Sequence, residues 1–514
     1  MTSQYAWLDE PLVSVQTRDG VTRRSLPEIL RSLALDEIED FPALRPHQHH
    51  AWHAFLVQVA VLALQLEGRA DANVPPSEWR RLLLQLSGGV AEAWALVVSD
   101  ITLPAFMQPP IVDGLLDDVM TSHVATPDEL DLLITSKNHD LKGAVMAHAA
   151  PEQWLMALVS LQTSEGFGGA GNYGIVRMNG GYGSRVCVAF APNLRWGARF
   201  VRDVELLLSE RDALADEHGY RVSGGEGLLW LAPWDGRTSL SLTELDPYFV
   251  EICRRVRLTA AGPSIQARRT TTKAPRVFAG ETKGRVGDPW TPVSLAEGKS
   301  FSVSEAGFGY KKAHELLLAE IWSLPVTARR PRGGGPGEFL FRGLARGQGQ
   351  TNGYHERRLP VPPRASLRLF DPVERQALAE LSKERLELVG TLAHRVLKPA
   401  ILAFMNGAVR DGGPRRDDRP NRWLGALDDA VDAIFFPCLF ADAERERDAA
   451  NRDFVETLRG LGLAQLEAAI RAAPTREARR WQATALAESV FNGAFLKQFK
   501  AYLGAPEQAT SESA

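Results

Sequence analysis

The last third of the sequence contains four segments in which apolar residues recur every three or four positions. Such spacing lines the apolar side chains along one face of a helix. Short breaks separate the segments, which cover residues 371–407, 422–441, 443–472 and 475–503. Because short connections favour antiparallel neighbours, the sequence predicts a C-terminal four-helix bundle over residues 371–505. Residues 506–514 are expected to form a disordered tail.

The preceding residues, 1–370, mix helical and strand-like patterns. A short strand, a turn at Asp19-Gly20, a second strand and a helix start are expected near the N-terminus. Helical spacing then recurs at residues 48–68, 77–97 and 127–134. Between residues 166 and 250, glycine-rich turns alternate with strand-like runs such as RVCVAFA. The predicted fold class is therefore α+β, with a large mixed α/β N-terminal domain followed by the bundle.

The composition limits the classes of partner and compartment. Free nucleic-acid binders usually carry a basic surplus, whereas this chain has a formal net charge of -4, so any nucleic-acid contact is expected to be local. The three cysteines lie far apart without a CxxC pair, which argues against structural zinc and fits a reducing cytoplasm. The N-terminus lacks the pattern of a signal peptide, and the longest apolar stretch, residues 54–64, is shorter than a membrane span. We expect a cytoplasmic protein with no membrane segment.

Two segments, residues 262–288 and 324–368, are rich in proline, glycine and arginine and show little periodic apolar pattern. Such composition predicts basic loops on the surface of the large domain.

Residues 166–171, GFGGAG, satisfy the GxGxxG pattern of dinucleotide-binding proteins. That function requires a preceding strand and a following helix, whereas here a helical run precedes the glycines and turns and strands follow them. No nucleotide cofactor is therefore expected. Glycines also allow a backbone to approach another molecule closely, and a narrow DNA groove is one such partner. The alternative is a tightly turned loop without a ligand.

A polar stretch, TSKNHDLK at residues 135–142, follows a predicted helix. Its side chains suit contacts with phosphates or base edges, although a solvated loop has the same composition.

His49 and His53 lie one helical turn apart, as two metal ligands would. Metal sites need three or four converging ligands, and no carboxylate or cysteine joins this pair in the sequence, so core packing explains it better. The common hydrolase, metalloprotease and phosphate-loop motifs are absent from the sequence. We therefore predict a protein that is not an enzyme and that holds no cofactor and no metal.

Several segments, taken in order, resemble the CasA family, the large subunits of type I-E CRISPR Cascade complexes. They span nearly the whole chain: RPHQHHAWHAFLVQ at 45–58, PAFMQPP at 104–110, TSKNHDLK at 135–142, GFGG at 166–169, GDPWTP at 287–292 and RGQGQTNGYHERR at 346–358.

The resemblance implies a DNA-binding role inside a guide-RNA complex. The subunit would recognise the protospacer-adjacent motif in double-stranded DNA from the minor groove and promote strand opening and R-loop formation. It would bind the backbone and small subunits of Cascade and recruit a separate helicase-nuclease for interference.

The resemblance also implies a set of site residues. The family's glycine loop corresponds to Gly166, Phe167, Gly168 and Gly169. Its lysine finger corresponds to Lys283, with Arg285 as the alternative, and its glutamine wedge to Gln350 with Thr351, with Gln348 as the alternative. A further loop, which contacts the RNA handle and the motif, corresponds to Lys137 through Lys142, with Asn138 as the main contact.

Two other functions compete with this interpretation. One is a metal-dependent nuclease that uses His49, His53 and nearby carboxylates. The other is a scaffold that binds RNA through its basic loops and reads no DNA motif.

Overall fold

The computed structural model of the chain describes residues 3–131, 149–262, 264–329, 335–347, 350–406, 418–473 and 477–503. The chain divides into two compact units. The first comprises residues 1–308 and 320–360, and the second comprises residues 309–319 and 361–514.

The strands belong to the first unit and form small sheets. They are β1 (Ser3–Ala6), β2 (Val13–Thr17), β3 (Gly20–Arg24), β4 (Ala95–Val98), β5 (Ser122–Val124), β6 (Cys187–Ala191), β7 (Glu226–Leu228), β8 (Leu245–Val250), β9 (Arg255–Ala261), β10 (Ser264–Thr270), β11 (Val293–Ser294), β12 (Trp322–Ser323), β13 (Gly337–Gly347) and β14 (Gln350–Val361). The three-stranded sheets have the orders β5-β10-β9 and β14-β13-β6. The pairs are β1-β4, β2-β3, β7-β8 and β11-β12.

The first unit also contains six helices among its described residues, several of which pack around one central helix. They are α1 (Leu26–Ala34), α2 (His49–Gln65), α3 (Pro76–Leu86), α4 (Leu116–Val119), α5 (Pro151–Ser164) and α6 (Trp196–His218). The central helix is α2, whose side chains from His50 to Leu64 are all buried. A helix that is apolar all round belongs in a core, and α3, α5, α6 and β8 cover this one. Its buried Gln58 donates to the carbonyl oxygens of Tyr248 and Phe249, at 3.1 and 2.8 Å.

The predicted elements near the N-terminus are confirmed. β2 and β3 form an antiparallel hairpin that turns at Gly20, whose φ of 116° favours glycine. Ser25 then caps α1, because the Glu28 carboxylate accepts its backbone N–H at 2.7 Å.

The helix predicted over 77–97 is right only in its first half. α3 ends before Gly88 and Gly89, which have φ values of 64° and 85°, and β4 follows.

The prediction that residues 262–288 and 324–368 are loops is wrong for β10 in the first segment and for most of the second. The first contains β10, which pairs with β9, and the second contains the β13–β14 hairpin. β13 also pairs with β6, where Phe339 lies opposite Phe190 and both rings are buried. Proline, glycine and arginine residues around these strands obscure the alternating apolar pattern by which a strand is predicted. The strands that pair with them are distant in sequence, so no local pattern indicates the pairing.

The second unit is helical in its described parts. It contains α7 (Tyr310–Leu317), α8 (Pro363–Phe370), α9 (Pro372–Asn406), α10 (Asn421–Asp442), α11 (Arg447–Ala472) and α12 (Arg480–Phe499), with a π-helical turn at Leu392–Leu397 inside α9. The Asp371 carboxylate caps α9 by accepting from the N–H groups of Val373 and Glu374, at 3.0 Å each. The end of α9 packs on α12, and α10 packs on α11. The predicted α+β class with a C-terminal helical bundle is confirmed.

The second unit also includes residues that sequence analysis assigned to the N-terminal domain. Residues 309–319 and 361–370 belong to it, although the predicted boundary lies at residue 371. The reason is side-chain bonding from α7. The Tyr310 hydroxyl donates to Asp428 at 2.8 Å, and His314 Nδ1 lies 2.7 Å from the Ser382 hydroxyl.

By length and composition, α9 contains a stretch that is apolar enough to cross a membrane, and half of that stretch is buried inside the protein. The core helix of a helical bundle passes the same test, so this finding is weak evidence for a membrane span.

Two glycines of α11 provide a matched test of bundle packing. A Cβ atom at Gly462 would lie 3.1 Å from the Phe491 ring and 3.3 Å from Leu392, whereas one at exposed Gly460 would meet nothing within 4 Å. We expect Gly460→Ala to raise the free energy of unfolding by ~0.5–1 kcal/mol, because alanine favours helix. Gly462→Ala should lower it by ~1 kcal/mol through overpacking. Denaturant unfolding of the full chain measures both, and equal effects would contradict this packing.

Candidate nucleic-acid interface

The predicted glycine loop is a tight turn that begins one residue after α5. The Gly168 N–H donates to the Asn172 carbonyl at 2.8 Å, and the Asn172 N–H donates to the Gly169 carbonyl at 2.9 Å. Gly169 has a φ of 106°, which L side chains rarely adopt. A Cβ at Gly169 would meet nothing within 4 Å, so this part of the turn is open on its outer side. We call residues 166–172 the glycine turn.

Two other glycines of this region are required by packing within the protein. A Cβ at Gly166 would lie 2.5 Å from the Gly181 carbonyl oxygen, and one at Gly174 would lie 2.5 Å from the carbonyl carbon of Gly166. The glycine pattern therefore has two origins. Gly166 and Gly174 let two backbone segments touch, whereas Gly169 leaves space for another molecule.

Aromatic rings surround the glycine turn. The ring of Phe167 lies 5.8 Å from that of Tyr182 and 6.4 Å from that of Tyr173, measured between centroids. All three residues are partly exposed. The turn is thus packed against aromatic rings that are themselves partly exposed to solvent.

Lys283 is held in an unusual backbone conformation. Its φ is 50°, which is uncommon for a residue with a side chain, and its carbonyl accepts the Ser300 N–H at 2.9 Å. The next residue, Gly284, packs so closely that a Cβ would lie 2.2 Å from the Ser300 hydroxyl oxygen and 2.7 Å from the Arg177 carbonyl oxygen. Backbone strain of this kind is kept where surrounding contacts enforce it, and it clusters at functional sites. The Lys283 side chain is exposed.

Lys283 and Phe167 of the glycine turn line one open cavity of about 240 Å³, which Gly166, Gly168 and Gly169 do not line. Its other lining residues include Tyr173, Phe278 and Thr282. Arg285 is not among the lining residues. Of the two predicted cations, Lys283 is the one that lines this cavity together with Phe167.

Gln350 lies at the tip of the β13–β14 hairpin and is exposed, and Thr351 beside it is partly exposed. Polar bonds join the two strands of the hairpin to each other and attach β14 to Glu305. The Glu356 carboxylate accepts from Arg342 and from the Tyr354 hydroxyl, at 2.9 Å each. The Asn352 amide donates to Glu305 at 2.6 Å.

Four of the predicted site residues, Lys137, Asn138, Lys142 and Gln348, lie outside the described residues.

The arginines of the two predicted basic loops differ in exposure. Arg276 and Arg342 are buried, and Arg276 donates to the carbonyl oxygen of Leu229 at 3.0 Å. Arg268 is partly exposed and pairs with Asp117 at 2.8 Å. Buried arginines that satisfy backbone carbonyls stabilise the fold, so the sequence overestimated the cationic surface.

Of the two histidines, His53 is buried in the core and His49 is partly exposed. His53 Nε2 lies 2.8 Å from the Asp203 carboxylate, and the His49 ring meets the Trp196 ring edge-on at 5.5 Å. Within the described ranges, no group of three or more His, Cys, Asp or Glu side chains is placed to hold a metal ion. The geometry therefore offers the nuclease alternative no support.

Sequence reasoning missed the ionic cluster that contacts the glycine turn on its buried side. Arg254 Nη2 donates to the Gly166 carbonyl at 3.3 Å and pairs with Glu165 at 3.0 Å. Arg346 pairs with the same carboxylate at 3.1 Å. No local pattern signals this cluster, because its members lie far apart in the sequence.

Comparison with solved structures finds the same fold in CasA proteins, which are also called Cse1. Thermus thermophilus CasA (Cse1) superposes with a TM-score of 0.59 at 17% identity, covering 96% of this chain and 100% of that chain. Cse1 from Acidimicrobium ferrooxidans gives a TM-score of 0.63 at 14% identity, covering 98% and 99%. A chain of a CRISPR RNA-guided surveillance complex gives 0.59 at 13% identity, covering 96% and 100%.

No protein-family model and no curated protein matches the sequence. The described chain nevertheless has the CasA fold over nearly its whole length, which confirms the fold implied by the sequence resemblance.

The packed histidine makes stability depend on pH. Burial, and after it the Arg199 charge, lower the pKa of His53 from 6.5 to about 4. Folding therefore opposes protonation, and the stability that neutral His53 contributes is lost as pH falls from about 6.5 to about 4. We expect the difference in the free energy of unfolding between wild type and His53→Gln to shrink by up to ~3 kcal/mol across this range.

Chemical denaturation at several pH values measures this difference. His123→Gln changes an exposed histidine and serves as the control, with a difference that should stay constant. A constant difference for His53→Gln as well would show that His53 is not held neutral by burial.

Proposed function

We propose that this chain, which has the CasA fold, is the non-catalytic large subunit of a type I-E Cascade RNA-guided complex. In that complex it recognises the protospacer-adjacent motif of double-stranded DNA from the minor groove. The observation that carries the proposal is the open cavity lined by Lys283 and by Phe167 of the glycine turn, on a fold found in a CRISPR RNA-guided surveillance complex.

The dimensions of the minor groove suit this pair of elements. The groove is only ~6 Å wide and presents mostly hydrogen-bond acceptors, so it admits a bare backbone turn or one extended cation. Gly169 presents backbone without a side chain, and the exposed Lys283 amine can donate to base or phosphate oxygens. Gly166, Phe167 and Gly168 shape the rest of the turn. Reading of this kind tolerates several sequences, because A·T and T·A look alike from the minor groove.

Gln350 and Thr351 promote strand opening beside the motif. An exposed amide at the start of β14 can enter the space between two separating bases and bond their freed edges. Exchange of a DNA duplex for an RNA–DNA heteroduplex is nearly balanced in free energy. A contribution of a few kcal/mol at the first base pairs is therefore enough to control the start of the R-loop.

The remaining contacts follow from the family's organisation. Lys137, Asn138 and Lys142 contact the RNA handle and the motif, and the second unit packs against the small subunits and helps to hold the displaced strand. A separate helicase-nuclease is recruited to cut the DNA. The complex acts in the cytoplasm, where this subunit needs no cofactor of its own.

The role of Lys283 can be separated from that of its neighbour Arg285. Loss of one charge-assisted hydrogen bond costs ~1.5–3 kcal/mol, so Lys283→Met should weaken motif-dependent duplex binding by at least about tenfold. Arg285→Met removes an equally exposed charge outside the cavity and should change binding by less than about twofold.

The assay uses the cognate guide-RNA complex, purified without its large subunit and then supplied with wild-type or variant protein. Binding at fixed salt is compared on duplexes with a permissive flank, selected from a randomised flank by the wild-type complex, and with a rejected flank. Wild-type protein should enhance binding only with the permissive flank. Enhancement with both flanks would replace the proposal by a motif-blind scaffold, and no enhancement would overturn it.

Gln350→Ala should slow strand opening by about tenfold while leaving the initial duplex affinity within about twofold, because the wedge acts only once the bases part. Fluorescence of 2-aminopurine at the first base pair beyond the motif reports the opening rate. Gln4→Ala, at an exposed glutamine of β1, is the control. An unchanged opening rate in Gln350→Ala would remove the wedge role.

A further inference from the structure

We infer that Glu165 is a positioning residue that couples the glycine turn to the tip of the β13–β14 hairpin through Arg254 and Arg346. The inference rests on the proposed function, since it assigns these residues the task of joining motif capture to strand opening. None of the three is expected to touch DNA.

Glu165 lies between the end of α5 and Gly166, and each oxygen of its carboxylate has its own arginine. Oε2 lies 3.0 Å from Arg254 Nη2, and Oε1 accepts from Arg346 Nη1 at 3.1 Å. The side chains of Glu165, Arg254 and Arg346 are 11%, 9% and 14% exposed. Charges withdrawn from water to this degree depend strongly on their partners, so the geometry of the cluster is closely constrained.

Arg254 fixes the glycine turn from beneath. Its guanidinium donates to the carbonyl oxygens of Gly166, the first residue of the turn, and Tyr173, which directly follows the turn. A Cβ at Gly168 would lie 3.2 Å from Arg254 Nη2, so the arginine touches the middle of the turn as well. Gln162 of α5 holds the backbone of Arg254, whose N–H donates to the Gln162 side-chain oxygen at 2.8 Å.

Arg346 fixes the other partner, the hairpin. It is the next-to-last residue of β13 and lies four positions before Gln350. Two residues earlier in β13, the Leu344 N–H donates to the Ser184 hydroxyl at 2.9 Å, and the Ser184 N–H donates to the Leu344 carbonyl at 3.2 Å. The hairpin near its tip is therefore bonded both to Glu165 and to Ser184, at the two ends of the glycine-rich segment 165–184.

One carboxylate thus links the element proposed to hold the duplex with the element proposed to part it. A shift of the glycine turn on DNA would move Glu165 and, through Arg346, bias the position of the hairpin tip. Coupling between two sites requires such a physical connection with a different free energy in each state. Without the link, motif capture and base-pair opening should become independent steps.

Arg346→Met breaks the hairpin half of the link and leaves the Glu165–Arg254 pair in place. We expect motif-dependent duplex binding within about twofold of wild type and an opening rate about tenfold lower, within the usual range of coupling between sites. Arg346→Lys keeps the charge and should restore most of the rate. The matched control is Arg358→Met on the adjacent strand, which removes an exposed arginine paired with Glu356 at 3.0 Å.

A double-variant cycle distinguishes loss of the coupling from a general loss of stability, because only the coupling predicts that the two effects on the opening rate are not additive. If Arg346 acts through the hairpin tip, Gln350→Ala combined with Arg346→Met should open DNA no more slowly than Gln350→Ala alone. Glu165→Gln, which weakens both halves of the link, should lower the opening rate and also the motif-dependent affinity. Thermal unfolding of each variant identifies any that is not folded at the assay temperature.

The outcomes separate this inference from the proposed function. Wild-type opening rates in Arg346→Met and Glu165→Gln, with the expected effects in Lys283→Met and Gln350→Ala, would overturn the coupling alone. Additive slowing in the double variant would also overturn it. Wild-type behaviour of Lys283→Met and Gln350→Ala would instead reject the proposed function itself.

Discussion

A buried ion pair between Arg185 and Asp288 sets the geometry of the candidate interface. The guanidinium donates twice to the carboxylate, at 2.6 and 2.7 Å, and both side chains are 1% exposed. Arg185 directly follows the glycine-rich segment, and Asp288 ends the loop that carries Lys283. Against the effect of burial, Arg185 holds the pKa of Asp288 below its ordinary value, so the pair stays charged. The glycine-rich segment and the loop that carries Lys283 are therefore joined at their C-terminal ends by one buried ion pair.

The core helix α2 supplies the support behind this pair. Its Gln58 accepts from Arg185 at 3.3 Å while donating to two carbonyl oxygens near the end of β8. The Trp290 N–H donates to Asp288 at 3.1 Å, and the Arg185 guanidinium lies 4.9 Å from the centre of the Trp290 ring. Buried charges need several partners to offset the loss of water, and here those partners come from distant parts of the chain. The segments RPHQHHAWHAFLVQ and GDPWTP, which carry part of the family resemblance, supply Gln58, Asp288 and Trp290.

The division of work among the arginines explains how a chain of net charge -4 can present a local cationic site. Arg257, for example, is fully buried and donates to the carbonyl oxygens of Val98, Asp100 and Leu103. The N–H groups of such arginines are used in hydrogen bonds to backbone carbonyls. Lys283, in contrast, is exposed on a strained loop near the glycine turn. The position of a cation, more than the number of cations, therefore sets the local charge of this surface.

The sequence by itself determined the elements whose causes are local. The helical periodicity of the C-terminal third, the hairpin that turns at Gly20 and the glycine-rich character of residues 166–169 all follow from neighbouring residues, and the structure contains each of them. Only the tertiary structure decided that the two basic segments contain paired strands, that Lys283 and not Arg285 lines the cavity, and that Glu165 joins two arginines. The physical reason is that strand pairing and buried ion pairs join residues far apart in the chain, so their free energy depends on a geometry that no single stretch of sequence contains.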